Sequence, residues 1–149
     1  MPQSLANILV HLVFSTQHRQ PVLTVAVQDA LGAFVGGILA NHDCRPLSIG
    51  IQPDHAHLLF ALSRTLALAD AVKAIKTQSS EWLRAQHGLT DFHWQHGYGA
   101  FSVSVSSISS VHSYIEKQSE HHRKLTFQDE LRRFLSKHQV TYDERYLWD

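Results

Sequence analysis

The chain has 149 residues, 44% hydrophobic and 17% charged. It is long enough for one core without disulfides and too apolar to be a disordered chain. Thirteen basic residues balance thirteen acidic ones, which argues against a strongly basic nucleic-acid wrapper and against an acidic tail. The single cysteine, Cys44, rules out an internal disulfide and a cysteine-based zinc finger, and suits a reducing cytoplasm.

The opening residues have no basic stretch, and their apolar run is short and interrupted by His11. They predict neither a signal peptide nor a membrane span. Residues 8–15 are apolar and β-rich and predict a strand, central in its sheet. Residues 17–21 form a polar break. Thr24 is placed to cap a helix to about residue 41, with Val27, Leu31, Phe34, Val35 and Ile38 on one face. Residues 45–52 and 55–62 predict two strands around a Pro53-Asp54 turn, hence a hairpin. Residues 66–87 predict a long helix, with Leu68, Val72, Ile75 and Trp82 at helical spacing and Gly88 at its end. The aromatic loop 91–99 leads to a fourth strand over 100–106. A helix over 107–124 and another over 126–138 follow, the second opened by Thr126 with acids three and four positions on. The tail 140–149 either packs back or adds a short edge strand. No repeat or linker divides the chain, so residues 1–149 read as one α+β domain. The order βαββαβ is the ferredoxin-like pattern, an antiparallel sheet with helices on one face, here followed by C-terminal helices.

Two features bear on chemistry. His55 and His57 are two apart on the third strand, so they share a face with Cα atoms roughly 6–7 Å apart, a spacing at which two imidazoles can clasp one divalent ion. The count of twelve histidines makes about one His-x-His pattern expected by chance in a chain of this length. The pair gains weight from the apolar continuation Leu58-Leu59-Phe60, because imidazoles buried in such a strand need a ligand or a partner. The second feature is Tyr114 with Gln118 four residues on, side by side on a helix and able to face one site. The amide oxygen of Gln118 is a hard donor that suits Mg²⁺ or Mn²⁺. A tyrosine whose ring merely packs on the sheet satisfies the same spacing. His121 lies farther along the same stripe. His11, alternating with apolar residues in the first strand, either sits near the metal or, as the simpler reading, has a structural role, and Asp54 either caps its turn or orients a histidine.

The segments PDHAHLLF, YIEKQ, HLVFSTQHRQPVL, WQHGYGAFSVS and YDERYLWD together resemble the single-tyrosine HUH transposases, the small TnpA-type enzymes of the IS200-like family, over essentially the whole chain. The resemblance implies Tyr114 as nucleophile, with His55, His57 and Gln118 holding Mg²⁺ or Mn²⁺. It implies cleavage of single-stranded DNA carrying hairpins through a 5′-phosphotyrosine link, strand transfer to a second 3′-hydroxyl, and a homodimer whose active sites are in some members shared between subunits. Ala56 is small for the middle position of the His-hydrophobic-His motif. With no net charge, phosphate contacts need a local patch, for which Arg19, Lys73, Lys76, Arg84, Arg123 and Lys124 are candidates. Trp94, His96 and Tyr98 are candidates for base stacking, with loop packing the simpler role for Trp94. Two other readings stay open: a domesticated hairpin-binding protein without transposition, and a hydrolase with a histidine-bound metal.

Overall fold

The computed structural model describes residues 2–118 and 125–149. Its strands are β1 (Ile8–Ser15), β2 (Arg45–Ile51), β3 (His55–Leu62) and β4 (Gly99–Val103). Its helices are α1 (Val25–Asn41), α2 (Leu68–Gln86), α3 (Ile108–Glu116) and α4 (Phe127–Lys137). The sheet order is β2-β3-β1-β4 with every neighbouring pair antiparallel. The ferredoxin-like expectation is met, and β1 is central as its apolar run predicts. No helix among the described residues is long and apolar enough to cross a membrane.

Strand alternation divides the sheet into two faces. Val10, Leu12 and Phe14 of β1 and Ala56, Leu58 and Phe60 of β3 point to one face, where they pack with Leu31, Val35 and Ile38 of α1 and Val72, Ile75 and Leu83 of α2. Each fully buried leucine or phenylalanine here contributes about 1.5–3 kcal/mol. The opposite face carries His11 and Val13 of β1, His55 and His57 of β3 and Phe101 of β4. The C-terminal helices cover it: Phe127, Leu131 and Leu135 of α4 close over Val13 and Phe101, and α3 lies against β2 and β3. Both faces are therefore covered, which is why β1 is buried at seven consecutive positions rather than at alternate ones.

Several boundaries shift. The fourth strand stops at Val103 and a 3₁₀ turn, Val105–Ser107, leads into α3. The helix expected to run to residue 124 ends at Glu116, where Lys117 leaves helical geometry (ψ 21°) and the Gln118 side-chain amide donates to the Tyr114 carbonyl at 3.1 Å. Residues 119–124 lie outside the described residues, and with them His121, His122, Arg123 and Lys124. At α4 the Thr126 hydroxyl accepts the Asp129 N–H at 3.2 Å, as the spacing predicts. The tail packs back rather than pairing as a strand. The Asp149 carbonyl accepts the Gly97 N–H at 2.9 Å, and the Trp148 ring sits edge-on to Phe127.

Close approach of α3 to the sheet depends on Gly50, which pairs with His57 across β2 and β3. A Cβ there would stand 2.7 Å from Cγ2 of Ile115 and 3.1 Å from its carbonyl oxygen, so Gly50→Ala must lift α3. It is expected to cost about 1–3 kcal/mol. Gly37→Ala in α1, where the added Cβ meets nothing within 4 Å, is expected to stabilise by about 0.5–1 kcal/mol. Urea unfolding of both variants checks this, and a neutral Gly50→Ala would refute the tight seat of α3.

Candidate active site

The hairpin places its two histidines through backbone geometry alone. The Pro53-Asp54 turn is held from outside, the Asp54 carbonyl accepting the Thr16 N–H at 2.9 Å and the Pro53 carbonyl accepting the Leu23 N–H at 3.1 Å. His55 and His57 then leave the turn on the α3/α4 face, 1% and 0% exposed. Each imidazole is gripped at Nδ1. The His55 Nδ1–H donates to Asp54 Oδ1 at 2.6 Å, and His57 Nδ1 lies 2.9 Å from Nε2 of His11. A hydrogen bond at one ring nitrogen sets the orientation and tautomer of the other, so both Nε2 atoms are aimed into the space between α3 and α4.

Among the described residues, three further side chains line that space. Gln118 Oε1 is 3.5 Å from His55 Nε2. Glu130 of α4 is 1% exposed, with Oε1 2.7 Å from His57 Nε2 and 3.8 Å from His55 Nε2. The half-buried Tyr114 donates its hydroxyl to the other carboxylate oxygen, Oε2, with its ring 5.9 Å from that of His57. Burial first, and then the Glu130 carboxylate, hold the Tyr114 phenol above its ordinary range. Burial, reinforced by His57, pushes His11 down to about 3, so His11 stays neutral among its neighbours.

The ligand atoms of His55, His57 and Glu130 lie within 4.8 Å of one another, a group able to hold a metal ion. A divalent ion about 2.1 Å from its ligands sets adjacent ones roughly 3 Å and opposite ones roughly 4.2 Å apart. The measured 2.7, 3.5 and 3.8 Å separations fall in or close to that range. Imidazole nitrogens with carboxylate and amide oxygens make a mixed donor set for a divalent ion.

The structure thus brings together His55, His57, Tyr114 and Gln118 from the sequence reading. It adds Glu130, which that reading missed. The available signal was Glu130's position in the apolar stripe Phe127, Leu131, Phe134, Leu135, where an acid is expensive unless it is paired. His11, read either as structural or as a neighbour of the metal, is a direct hydrogen-bond partner of His57.

The cationic candidates separate. Lys76 donates to the carbonyls of Gln95, His96 and Gly97 at 2.8, 3.2 and 2.6 Å, and Arg84 to that of Phe92 at 2.9 Å; both brace the aromatic loop. Lys73 is exposed beside a cavity of about 380 Å³ that Tyr98 and His96 also line. Arg19 sits on a turn where it and His18 hold left-handed φ values of 55° and 56°, its guanidinium 5.6 Å from the Trp148 ring centre. Arg123 and Lys124 are outside the described residues. Trp94 is buried and donates to Ser79 Oγ at 2.9 Å, which is loop packing. Tyr98 remains 41% exposed.

Comparison with known proteins gives a consistent picture. The family described as "Transposase IS200 like" matches residues 4–118. The chain is 27% identical over 114 residues to the ISDra2 transposase TnpA of Deinococcus radiodurans, covering 72% of this chain and 81% of that one. It is similar to the crystal structure of a proposed transposase from Deinococcus radiodurans R1, at 25% identity and a TM-score of 0.63, over 79% of this chain and 98% of that one. A REP-associated tyrosine transposase bound to a REP hairpin shares the fold at 15% identity and a TM-score of 0.62, over 96% and 90% of the two chains.

The depressed His11 carries a pH signature. Between about 3 and the ordinary 6.5 the unfolded chain binds a proton at this position that the folded chain refuses. The stability it contributes is complete above 6.5 and is lost as pH falls toward 3, with a slope of up to about 1.4 kcal/mol per pH unit. His11→Asn is expected to flatten the dependence of stability on pH between 4 and 6. Urea midpoints at several pH values test this, and a slope equal to that of the wild type would refute it.

Proposed function

The chain belongs to the IS200-like transposase family, and on that premise we propose that it cleaves and rejoins single-stranded DNA through Tyr114. The observation that carries the reading is the meeting, within one chain, of the Tyr114 hydroxyl and the His55–His57 pair on the same buried carboxylate. The Tyr114 oxygen attacks a backbone phosphorus. The bond from phosphorus to the 3′ oxygen breaks, leaving a free 3′-hydroxyl and a 5′-phosphotyrosine. A second 3′-hydroxyl then attacks that link, rejoining the strand and regenerating the tyrosine. The energy of the broken bond is kept in the phosphotyrosine, so no ATP is needed.

A tyrosine hydroxyl with an ordinary pKa of about 10 needs activation, and here the phenol stands higher still. His55, His57 and Gln118 are the ligands assigned to Mg²⁺ or Mn²⁺, which when bound supplies Lewis acidity at the scissile phosphate and offsets its developing charge. Asp54 and His11 keep the two imidazoles aimed. Gln118, through its hydrogen bond to the Tyr114 carbonyl, ties the end of α3 to the same site.

The substrate assigned is DNA with hairpins, as in the related hairpin-bound transposase. With no net charge on the chain, recognition rests on hairpin shape and local contacts from Arg19, Lys73, Arg123 and Lys124 more than on bulk attraction. Lys76 and Arg84 shape the loop beside them. Residues 1–149 act as one cytoplasmic domain, and a homodimer brings two such sites, with the placement of Tyr114 against its own chain's histidines favouring assembly within each subunit.

Tyr114→Phe is expected to abolish a covalent adduct with single-stranded hairpin DNA in Mn²⁺ while hairpin Kd stays within about threefold. A denaturing gel and a binding titration measure the two, and an adduct of normal yield from the variant would sink the assignment. His55→Ala is expected to lower cleavage at least a hundredfold. Wild-type cleavage that persists in chelator would refute the metal role.

A further inference from the structure

Glu130 belongs to α4, beyond the segment that matches the family. Its position follows from the helix: Thr126 caps the first turn, and Phe127, Leu131 and Leu135 lock the same face onto Val13 and Phe101. The register of those apolar contacts carries Glu130 inward between the histidines and the tyrosine, with its backbone N–H bonded to the Thr126 carbonyl at 2.9 Å. A carboxylate in that stripe is costly to desolvate, and the Oε1 and Oε2 atoms are directed to different groups: one to His57 and His55, the other to Tyr114.

We propose that Glu130 is a positioning residue that couples the two halves of the site, its Oε1 serving as the anionic ligand of the ion held by His55 and His57 while its Oε2 holds the Tyr114 hydroxyl. The proposal rests on the strand-transfer reading for the role of Tyr114, whereas the ligand role stands on the donor set alone. A single carboxylate spanning both functions fixes the nucleophile relative to the ion, where two separate residues would leave that distance to the packing of α3. It also makes the cation's affinity depend on a helix outside the family core. Neutral Gln118 brings an oxygen to the same pair but no charge, so Glu130 supplies the electrostatic part of the binding.

The first measurement is Mn²⁺ binding to the full chain by calorimetry, without DNA. Glu130→Gln keeps the shape and removes the charge. It is expected to weaken Mn²⁺ at least tenfold, more than Gln118→Ala does. The second is adduct formation at saturating Mn²⁺, where Glu130→Gln should still be slowed at least tenfold because the hold on Tyr114 is weakened. Unchanged Mn²⁺ affinity in a folded Glu130→Gln protein would overturn the ligand role. A wild-type adduct rate at saturation would overturn the coupling.

Should Glu130→Gln fail to fold, Glu130→Asp keeps the charge but withdraws it by one methylene. It is expected to slow the adduct at saturating Mn²⁺ at least tenfold, and a wild-type rate overturns the proposal equally. Absence of any adduct from the wild type would instead sink the strand-transfer reading, leaving the calorimetry to decide the ligand role by itself.

Discussion

Two imidazoles buried on a central strand are the constraint on which the rest of this structure depends. β3 lies between β2 and β1, and its His55 and His57 are 1% and 0% exposed, so they need partners inside the protein. Burying such groups without partners costs a few kcal/mol each. Among the described residues, partners come from four places: Asp54 from the adjoining turn, His11 from the next strand, Gln118 from the end of α3 and Glu130 from α4. Tyr114 joins the same network through Glu130. Networks of this kind in a low-dielectric interior are worth more than their separate bonds when every member is satisfied, and cost more when one is removed.

The two faces of the sheet divide the work. On one, α1 and α2 bury a largely apolar layer around Leu12, Leu58 and Phe60, which makes the strands a rigid platform. On the other, a smaller apolar frame of Val13, Phe101, Phe127, Leu131 and Leu135 surrounds the polar cluster and keeps water from competing for its bonds. The aromatic loop before β4 is a brace between the layers. Gln95 accepts the Ser15 N–H at 2.8 Å, and Lys76 gathers three consecutive carbonyls of that loop. A segment whose composition suggests base stacking is therefore largely occupied in holding the end of β1, where the histidine hairpin begins.

Much of the architecture was legible along the chain because its causes are local. A continuous apolar, β-rich run over residues 8–15 marked the first strand, and the Pro53-Asp54 turn between residues 45–52 and 55–62 marked a hairpin. Alternation placed His55 and His57 on one face, and the four-residue step from Tyr114 to Gln118 placed both toward that site even though α3 ends between them. The helix end itself was not legible, since it involves a side chain of Gln118 taking a backbone acceptor. The cationic candidates show the same limit: Lys73 and Lys76 share a helix and a chemistry, yet one is exposed and the other is spent on carbonyls some twenty residues away.

Sequence by itself determined the fold class, the pairing of the two histidines and the presence of a tyrosine and an amide at helical spacing, because dihedral preference and side-chain period act between near neighbours. Only the tertiary structure decided what completes the site. His11 and His57 are 46 positions apart, and Glu130 lies 73 from His57 and 16 from Tyr114. Their meeting is set by how β1 pairs with β3 and by which face of α4 the apolar stripe turns inward. Those are consequences of packing, and no local pattern around Glu130 other than an acid in an apolar stripe marks the place where it arrives.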